Sequence, residues 1–234
     1  MIYRYISIIN ICVYTITAFF AFTTVKSTTI AIDTLEISVD TYEVTIDQYE
    51  SFLTNTDYTT AYNEGGLKYD YNKDLNEWTE SPALDTWESH IEQLDGNLPV
   101  TMVSYRDACA YCESKQGRLP TAEEWDAYSG PDVIKGNIWH GIFPYRDYGN
   151  DGYRNTLSPV GQMTPIANGL HDIYGNVWEY VQSEPGAVAA KGGSYLCDFS
   201  MCSDTKSKGH MLVYNEQRLQ SNIGFRCVYD LIDN

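Results

Sequence analysis

Positive charge is scarce in this chain. Lysine and arginine together number 15 among 234 residues, against 32 aspartates and glutamates, and the formal net charge is −17. A surface this acidic repels the nucleic-acid backbone and anionic lipid, so no nucleic-acid partner is expected. It favours basic partners or bound cations. Histidine is also rare: His90, His140, His171 and His210 are scattered, with no H-E-x-x-H or comparable zinc spacing. There is no phosphate-binding loop, no dinucleotide fingerprint and no G-x-S-x-G elbow, which removes several nucleotide-dependent and hydrolase classes. No Asn-x-Ser/Thr sequon occurs, so no N-glycan is expected. Repeats and low-complexity tracts are absent.

Long apolar runs are missing except at the start. Met1 to Arg4 carries a positive charge, Ile6 to Phe22 is uncharged and mostly apolar, and Lys26 follows. This is the pattern of a signal peptide or an N-terminal anchor, and both readings stand. Residues 1–30 are therefore set apart from a single domain over 31–234. The domain is expected in an exported setting: secreted, in the ER lumen or otherwise extracytoplasmic. Membrane contact is expected only through that anchor. Disulfides persist in such compartments.

What is present is an apolar fraction of 43% and 20 tyrosines, enough for a packed globule rich in aromatic core. Thr45-Ile46-Asp47-Gln48 reads as a capping box opening a helix to Leu53, with Ile46, Tyr49 and Leu53 on one face. Ser104 to Asp107 opens a second helix, through Lys115 and stopped by Gly117, with Ala108, Cys112 and Tyr111 inward. Pro120 to Glu124 opens a third, with Trp125 and Tyr128 inward. Ile32 to Val39 alternates as a half-buried strand. Residues 54–98 read as a long loop excursion. From 129 onward, short strands and long ordered loops are expected, and loops of that length carry function or need fastening.

Two of the six cysteines stand out. Cys197 and Cys202 have C-x4-C spacing after the pair Gly192-Gly193. Thiolates so placed can grip a soft metal ion, form a redox couple or close an ordinary structural disulfide.

Seven phrases then follow one another along the chain: Val44-Thr45 with Tyr49 and Phe52; Pro99 to Ser104 with Asp107 to Cys112; Gly117 to Trp125; Asn137 to Gly141; Gly169 to Glu179; Gly192 to Ser194; and Asn222 to Cys227. Together they resemble the formylglycine-generating enzyme, or sulfatase-modifying factor, family over about residues 34–230. The resemblance implies an α+β, C-type-lectin-like fold with little regular secondary structure. It implies an oxidase that uses O2 to convert a cysteine of an unfolded polypeptide, in a Cys-x-Pro-x-Arg context, to formylglycine. Cys197 and Cys202 correspond to the family's Cu(I) ligands, and Ser194 and Trp178 to residues of its active site. Cys112 and Cys227 correspond to its long-range disulfide, with Cys109 as an extra cysteine. Structural Ca2+ is implied at two sites. One uses the side chains of Asn137 and Asp151 and the carbonyls of Ile138 and Tyr153. The other uses Asp172, the carbonyls of Gly175 and Val177, and Glu179. A solvated turn is the plainer reading of Asp147 to Tyr153.

Two departures concern the substrate groove. Asp198 stands where a histidine is common, and Ser203 to Met211 lacks the family's arginines. Ser129 and Ser207 stand where a second disulfide would be. A non-catalytic binding module, lectin-like or a sulfatase-binding paralogue, is the alternative on the same fold. A thiol–disulfide oxidoreductase is a third.

Overall fold

Three capping boxes anchor the helices. The computed structural model describes residues 28–130, 136–182, 188–202, 211–213 and 217–231, with backbone alone at 201, 202 and 211–213. The expected leader run, Ile6 to Phe22, lies outside the described residues. Strand β1 (Thr29–Ile32) passes through a 3-10 turn at Asp33–Leu35 into β2 (Ile37–Asp40), and the two pair antiparallel. The single strand expected over Ile32 to Val39 is thus a hairpin. The turn interrupts the apolar alternation only once, at Asp33-Thr34, a break too slight to separate one strand from two by period alone. Thr29 and Ile30, assigned to the leader, belong to β1.

Helix α1 (Ile46–Thr54) starts where expected. Gln48 N donates to Thr45 Oγ1 at 3.3 Å, and Thr45 N donates to Gln48 Oε1 at 3.0 Å. Its buried face is Ile46, Tyr49 and Phe52; Leu53, expected there, is only partly buried.

The excursion over 54–98 is not a plain loop. It holds an antiparallel hairpin, β3 (Leu67–Asn72) and β4 (Glu77–Pro82), then a short helix α2 (Trp87–Ile91) capped by Thr86. β4 is almost wholly exposed, so it carries no apolar alternation for sequence reading to find. Helices α3 (Tyr105–Ser114) and α4 (Ala122–Ser129) follow, both with complete capping boxes. A two-residue pair, β5 (Gly141–Ile142) and β6 (Arg146–Asp147), closes a small turn. The remaining elements are β7 (Trp178–Gln182), β8 (Val188–Lys191), a single turn α5 (Phe199–Cys202), β9 (Met211–Val213), β10 (Leu219–Gln220), β11 (Ile223–Gly224) and β12 (Val228–Asp230).

The strands form small sheets ordered β1-β2-β12, β10-β3-β4, β11-β7-β8-β9 and β5-β6. This is the α+β architecture with little regular structure that the sequence implied. The main core is aromatic. Tyr49 meets Trp87, Phe52, Tyr111 and Phe225 at ring-centroid distances of 4.9 to 6.4 Å. Such tilted, edge-on and stacked contacts add to the gain from burial. The Cys112–Cys227 disulfide crosses this core, joining α3 to the residue before β12 with a Cα–Cα distance of 5.5 Å. Cys109, one turn earlier on α3, stays outside that bond. Among the described residues no helix is long and apolar enough to cross a membrane.

Candidate functional site

The end of β8 is where the backbone does something unusual. Gly192 and Gly193 take φ of +98° and +83°, a region that L side chains rarely occupy. A Cβ on Gly192 would lie 2.6 Å from the carbonyl oxygen of Ile173. This elbow turns the chain inward. Gly175 N donates to Gly192 O at 2.9 Å and Tyr195 N to Asn176 O at 3.0 Å, tying it to the loop before β7.

Ser194 and Cys197 follow the elbow and are both buried. Ser194 N donates to Cys197 Sγ at 3.1 Å, and Cys197 N donates back to Ser194 O at 3.0 Å. Cys197 is disulfide-bonded rather than a thiol. The side chain of Cys202, its expected companion, lies outside the described residues. Trp178 opens β7 at 7% exposure and belongs to the same buried cluster as Cys197. Trp178 N donates to Asn222 O at 2.9 Å, and Asn222 Nδ2 donates to Ser194 Oγ at 3.1 Å. The structure therefore brings Ser194, Cys197 and Trp178 together and adds Asn222, which sequence reading quoted only as part of a phrase.

Asp198 has a local role that explains its presence. Its Oδ2 accepts from Phe143 N at 3.1 Å, and its Oδ1 accepts from Ser200 N and Ser200 Oγ. It fastens the turn between β5 and β6 to the start of α5. Residues 203–210 lie outside the described residues, as does the side chain of Met211. Ser129 is buried, with its hydroxyl donating to Asp126 O at 3.2 Å; Ser207 is not described.

The first expected calcium group is drawn together. Asp151 Oδ2 accepts from Ile138 N at 3.1 Å, and Asp151 Oδ1 from Tyr153 N at 2.9 Å. Asn137 is fully buried, with Nδ2 donating to Thr156 O and Asn176 Oδ1. Its Oδ1 is buried with no hydrogen-bond partner among the described residues. An orphaned acceptor of this kind is costly unless something electropositive meets it.

The second group has the same signature and more charge. Asp172 sits at φ +56° with Oδ2 accepting from Gly161 N, while its Oδ1 is buried with no hydrogen-bond partner among the described residues. Burial raises its pKa above the usual carboxylate value. Glu179 is already engaged: Arg226 Nε donates to both its oxygens at 2.9 Å, Arg226 Nη2 to Oε1, and Trp125 Nε1 to Oε2 at 2.9 Å. Glu43, which the sequence reading passed over, completes the cluster. It accepts from Asn176 Nδ2 at 2.6 Å and from Val177 N at 3.2 Å. Burial, then the charges of Asp172 and Glu179, raise its pKa. Three buried carboxyl groups thus share one buried guanidinium, an imbalance that a proton on Glu43 or a further cation would relieve. Among the described residues no three His, Cys, Asp or Glu side chains converge on one point. Any cation here would therefore need carbonyl or amide oxygens to complete its shell, as Ca2+ accepts.

The chain matches the family described as the sulfatase-modifying factor enzyme 1-like domain over residues 20–231. It belongs to that family. It is 32% identical to the formylglycine-generating enzyme of Mus musculus over 169 residues, 57% of this chain and 45% of that protein. It is 34% identical over 151 residues to the inactive C-alpha-formylglycine-generating enzyme 2 of Mus musculus, 56% of this chain and 48% of that protein. The chain thus spans about half the length of the curated relatives it matches. The solved structure of PvdO from Pseudomonas aeruginosa shares the fold with a TM-score of 0.57 at 18% identity, covering 83% of this chain and 80% of the other. Relatives of this family member include active and inactive proteins, so activity turns on the site residues.

Proposed function

We propose that the chain is an oxidase converting a cysteine of a sulfatase-type polypeptide, in a Cys-x-Pro-x-Arg context, to formylglycine with O2. The observation that carries this reading is the seating of Cys197, 2% exposed and hydrogen-bonded to the backbone of Ser194 just past the Gly192-Gly193 elbow. The overall change balances when a thiol reductant takes part. The thiomethyl side chain of the substrate becomes an aldehyde and its sulfur leaves as hydrogen sulfide, giving up two electrons. Two reductant thiols give up two more as they join in a disulfide. O2 takes all four and becomes two waters, and the oxygen of the aldehyde comes from a water that displaces the sulfur.

The chain's own residues have definite parts. As a disulfide, Cys197 offers no thiolate, so reduction must precede turnover. Reduced Cys197 and Cys202 would present two soft donors, a set that selects Cu(I). Copper held there would supply O2 activation. Trp178 walls the site with apolar surface, and Ser194 offers a hydroxyl beside the sulfur. Titrating the reduced protein with Cu(I), while following O2 uptake and aldehyde on a cysteine peptide with thiol present, tests the reading. Cys197→Ser and Cys202→Ser should each abolish tight binding and turnover. Wild-type copper affinity in either variant would sink the assignment.

Calcium belongs to the same proposal. Asn137, Asp151, Ile138 and Tyr153 would hold one ion; Asp172, Gly175, Val177 and Glu179 the other. The orphaned Oδ1 atoms of Asn137 and Asp172 support this, being hard oxygen donors in buried positions. An ion at about 100 times its Kd would stabilise the native state by roughly 2.7 kcal/mol. Chelation should therefore lower Tm by several degrees, and Asn137→Ala and Asp172→Ala should each shrink that response. A melting curve indifferent to chelator and to added Ca2+ would remove both sites.

A second reading, a non-catalytic binding module, draws on the disulfide state of Cys197 and the likeness to an inactive relative. It is preferred if the disulfide resists reductant in the folded protein and no peptide yields aldehyde.

A further inference from the structure

Behind Ser194 lies a short chain of buried amides. Gln220 ends β10, where it pairs with Tyr69 of β3, and its backbone carbonyl accepts from Met102 N at 3.1 Å. Its side chain turns inward, and Gln220 Nε2 donates to Asn222 Oδ1 at 3.2 Å. Asn222 Nδ2 in turn donates to Ser194 Oγ at 3.1 Å. Leu196 N donates to the same Ser194 oxygen at 3.3 Å. Gln220, Asn222 and Ser194 are all deeply buried, at 5%, 3% and 0% exposure, so water does not compete for these bonds.

A hydroxyl has one proton to give and two lone pairs to fill. Both lone pairs of Ser194 are occupied, by Leu196 N and Asn222 Nδ2. The proton is what Ser194 has left to offer. That arrangement holds only while Asn222 keeps its amino group toward Ser194, because an amide has a donor end and an acceptor end of nearly equal shape. The neighbour at the other end of Asn222 is Gln220, whose own amino group occupies the acceptor end of Asn222.

We propose that Gln220 is a positioning residue that sets the hydrogen-bond polarity of the Asn222–Ser194 pair, making Ser194 a proton donor beside Cys197. Its catalytic consequence rests on the oxidase reading; the polarity itself does not. With the relay intact, a group that gains negative charge next to Cys197 during reaction meets an O–H whose proton is not spent on Asn222. With the relay reversed, Ser194 spends its proton on Asn222, and that stabilisation is lost.

Gln220→Met is the discriminating variant. Methionine is close in shape but offers only a weak sulfur acceptor. Asn222 should then turn its amino group toward residue 220 and its oxygen toward Ser194. Neutron diffraction from deuterium-exchanged crystals of the wild-type protein and the variant reads this directly. The expected wild-type map has deuterons on the Asn222 atom facing Ser194, and none from Ser194 pointing back. The expected variant map has the reverse. On a peptide substrate, kcat should fall between about tenfold and a hundredfold, the scale of losing a partner that orients a functional group, with KM little changed. A wild-type map with the Asn222 oxygen toward Ser194 overturns the proposal even if the variant does not fold. Reversed polarity with unchanged kcat overturns its catalytic part. If the wild-type protein oxidises no peptide, the oxidase reading fails, while the maps still decide the polarity.

Discussion

Replacing Arg226 by methionine should cost about 3–5 kcal/mol, a large fraction of the roughly 5–15 kcal/mol that keeps an ordinary domain folded. The guanidinium is completely buried, and all three of its nitrogens are engaged. Nε faces Glu179, Nη1 donates to Asp40 O at 3.0 Å and Thr41 O at 3.2 Å, and Nη2 donates to His171 O at 2.8 Å and to Glu179. Burial opposes the charge, but Glu179 outweighs it and holds the Arg226 pKa above its usual value. Removing the arginine strands Glu179 beside Glu43 and Asp172, and takes a donor from the backbone carbonyls of Asp40, Thr41 and His171. Arg226→Lys should be nearly as damaging, because an ammonium cannot span these partners. Glu179→Leu added to Arg226→Met should recover part of the loss, since two apolar groups leave no uncompensated charge between them. Urea melts of the three variants measure this. A loss under about 1 kcal/mol for Arg226→Met would mean that the network is not the keystone its bonding implies.

The second large effect is covalent. Cys227→Ala should lower stability by about 4–5 kcal/mol, the chain-entropy value for a loop of this size. The bond joins residues 115 apart in sequence, from α3 to the approach to β12. Cys227 is the better target than Cys112, because Cys109 stands one helical turn from Cys112 and could take its place in pairing with Cys227. Thermal melts of the variant, with peptide mapping of the wild type under non-reducing conditions, test the prediction. A wild-type map joining Cys109 to Cys227 would contradict the structure.

Much of this was legible in the sequence, for physical reasons. Capping boxes are local, so Thr45, Ser104 and Thr121 marked three helix starts correctly. The phrases around Gly192, Asn222 and Cys227 announced the fold because they were read together. The β3–β4 hairpin was hidden, since β4 faces solvent on nearly all positions and leaves no period. The β1–β2 hairpin was hidden because its turn breaks the apolar alternation only once, at Asp33-Thr34. Glu43 escaped notice because a carboxylate between Tyr42 and Val44 reads as a surface residue, and only tertiary packing buries it. Gln220 escaped because its importance lies in the direction of one amide, which no spacing records.

The position of the strands contributed by residues 219–230 bears on how the protein is made. β10 pairs with β3, β11 with β7 and β12 with β2, so each of the three larger sheets is completed by this one short stretch. Arg226 and Cys227 lie in it as well. On the ribosome, the earlier residues must wait, with three sheet edges unpaired and a bare cluster of buried acids, until this stretch emerges. Closure is then a late event built from contacts distant in sequence, a slow class of folding step. A nascent chain stalled just short of residue 219 would present open strand edges to its neighbours, and aggregation rather than a partly working domain is its natural fate.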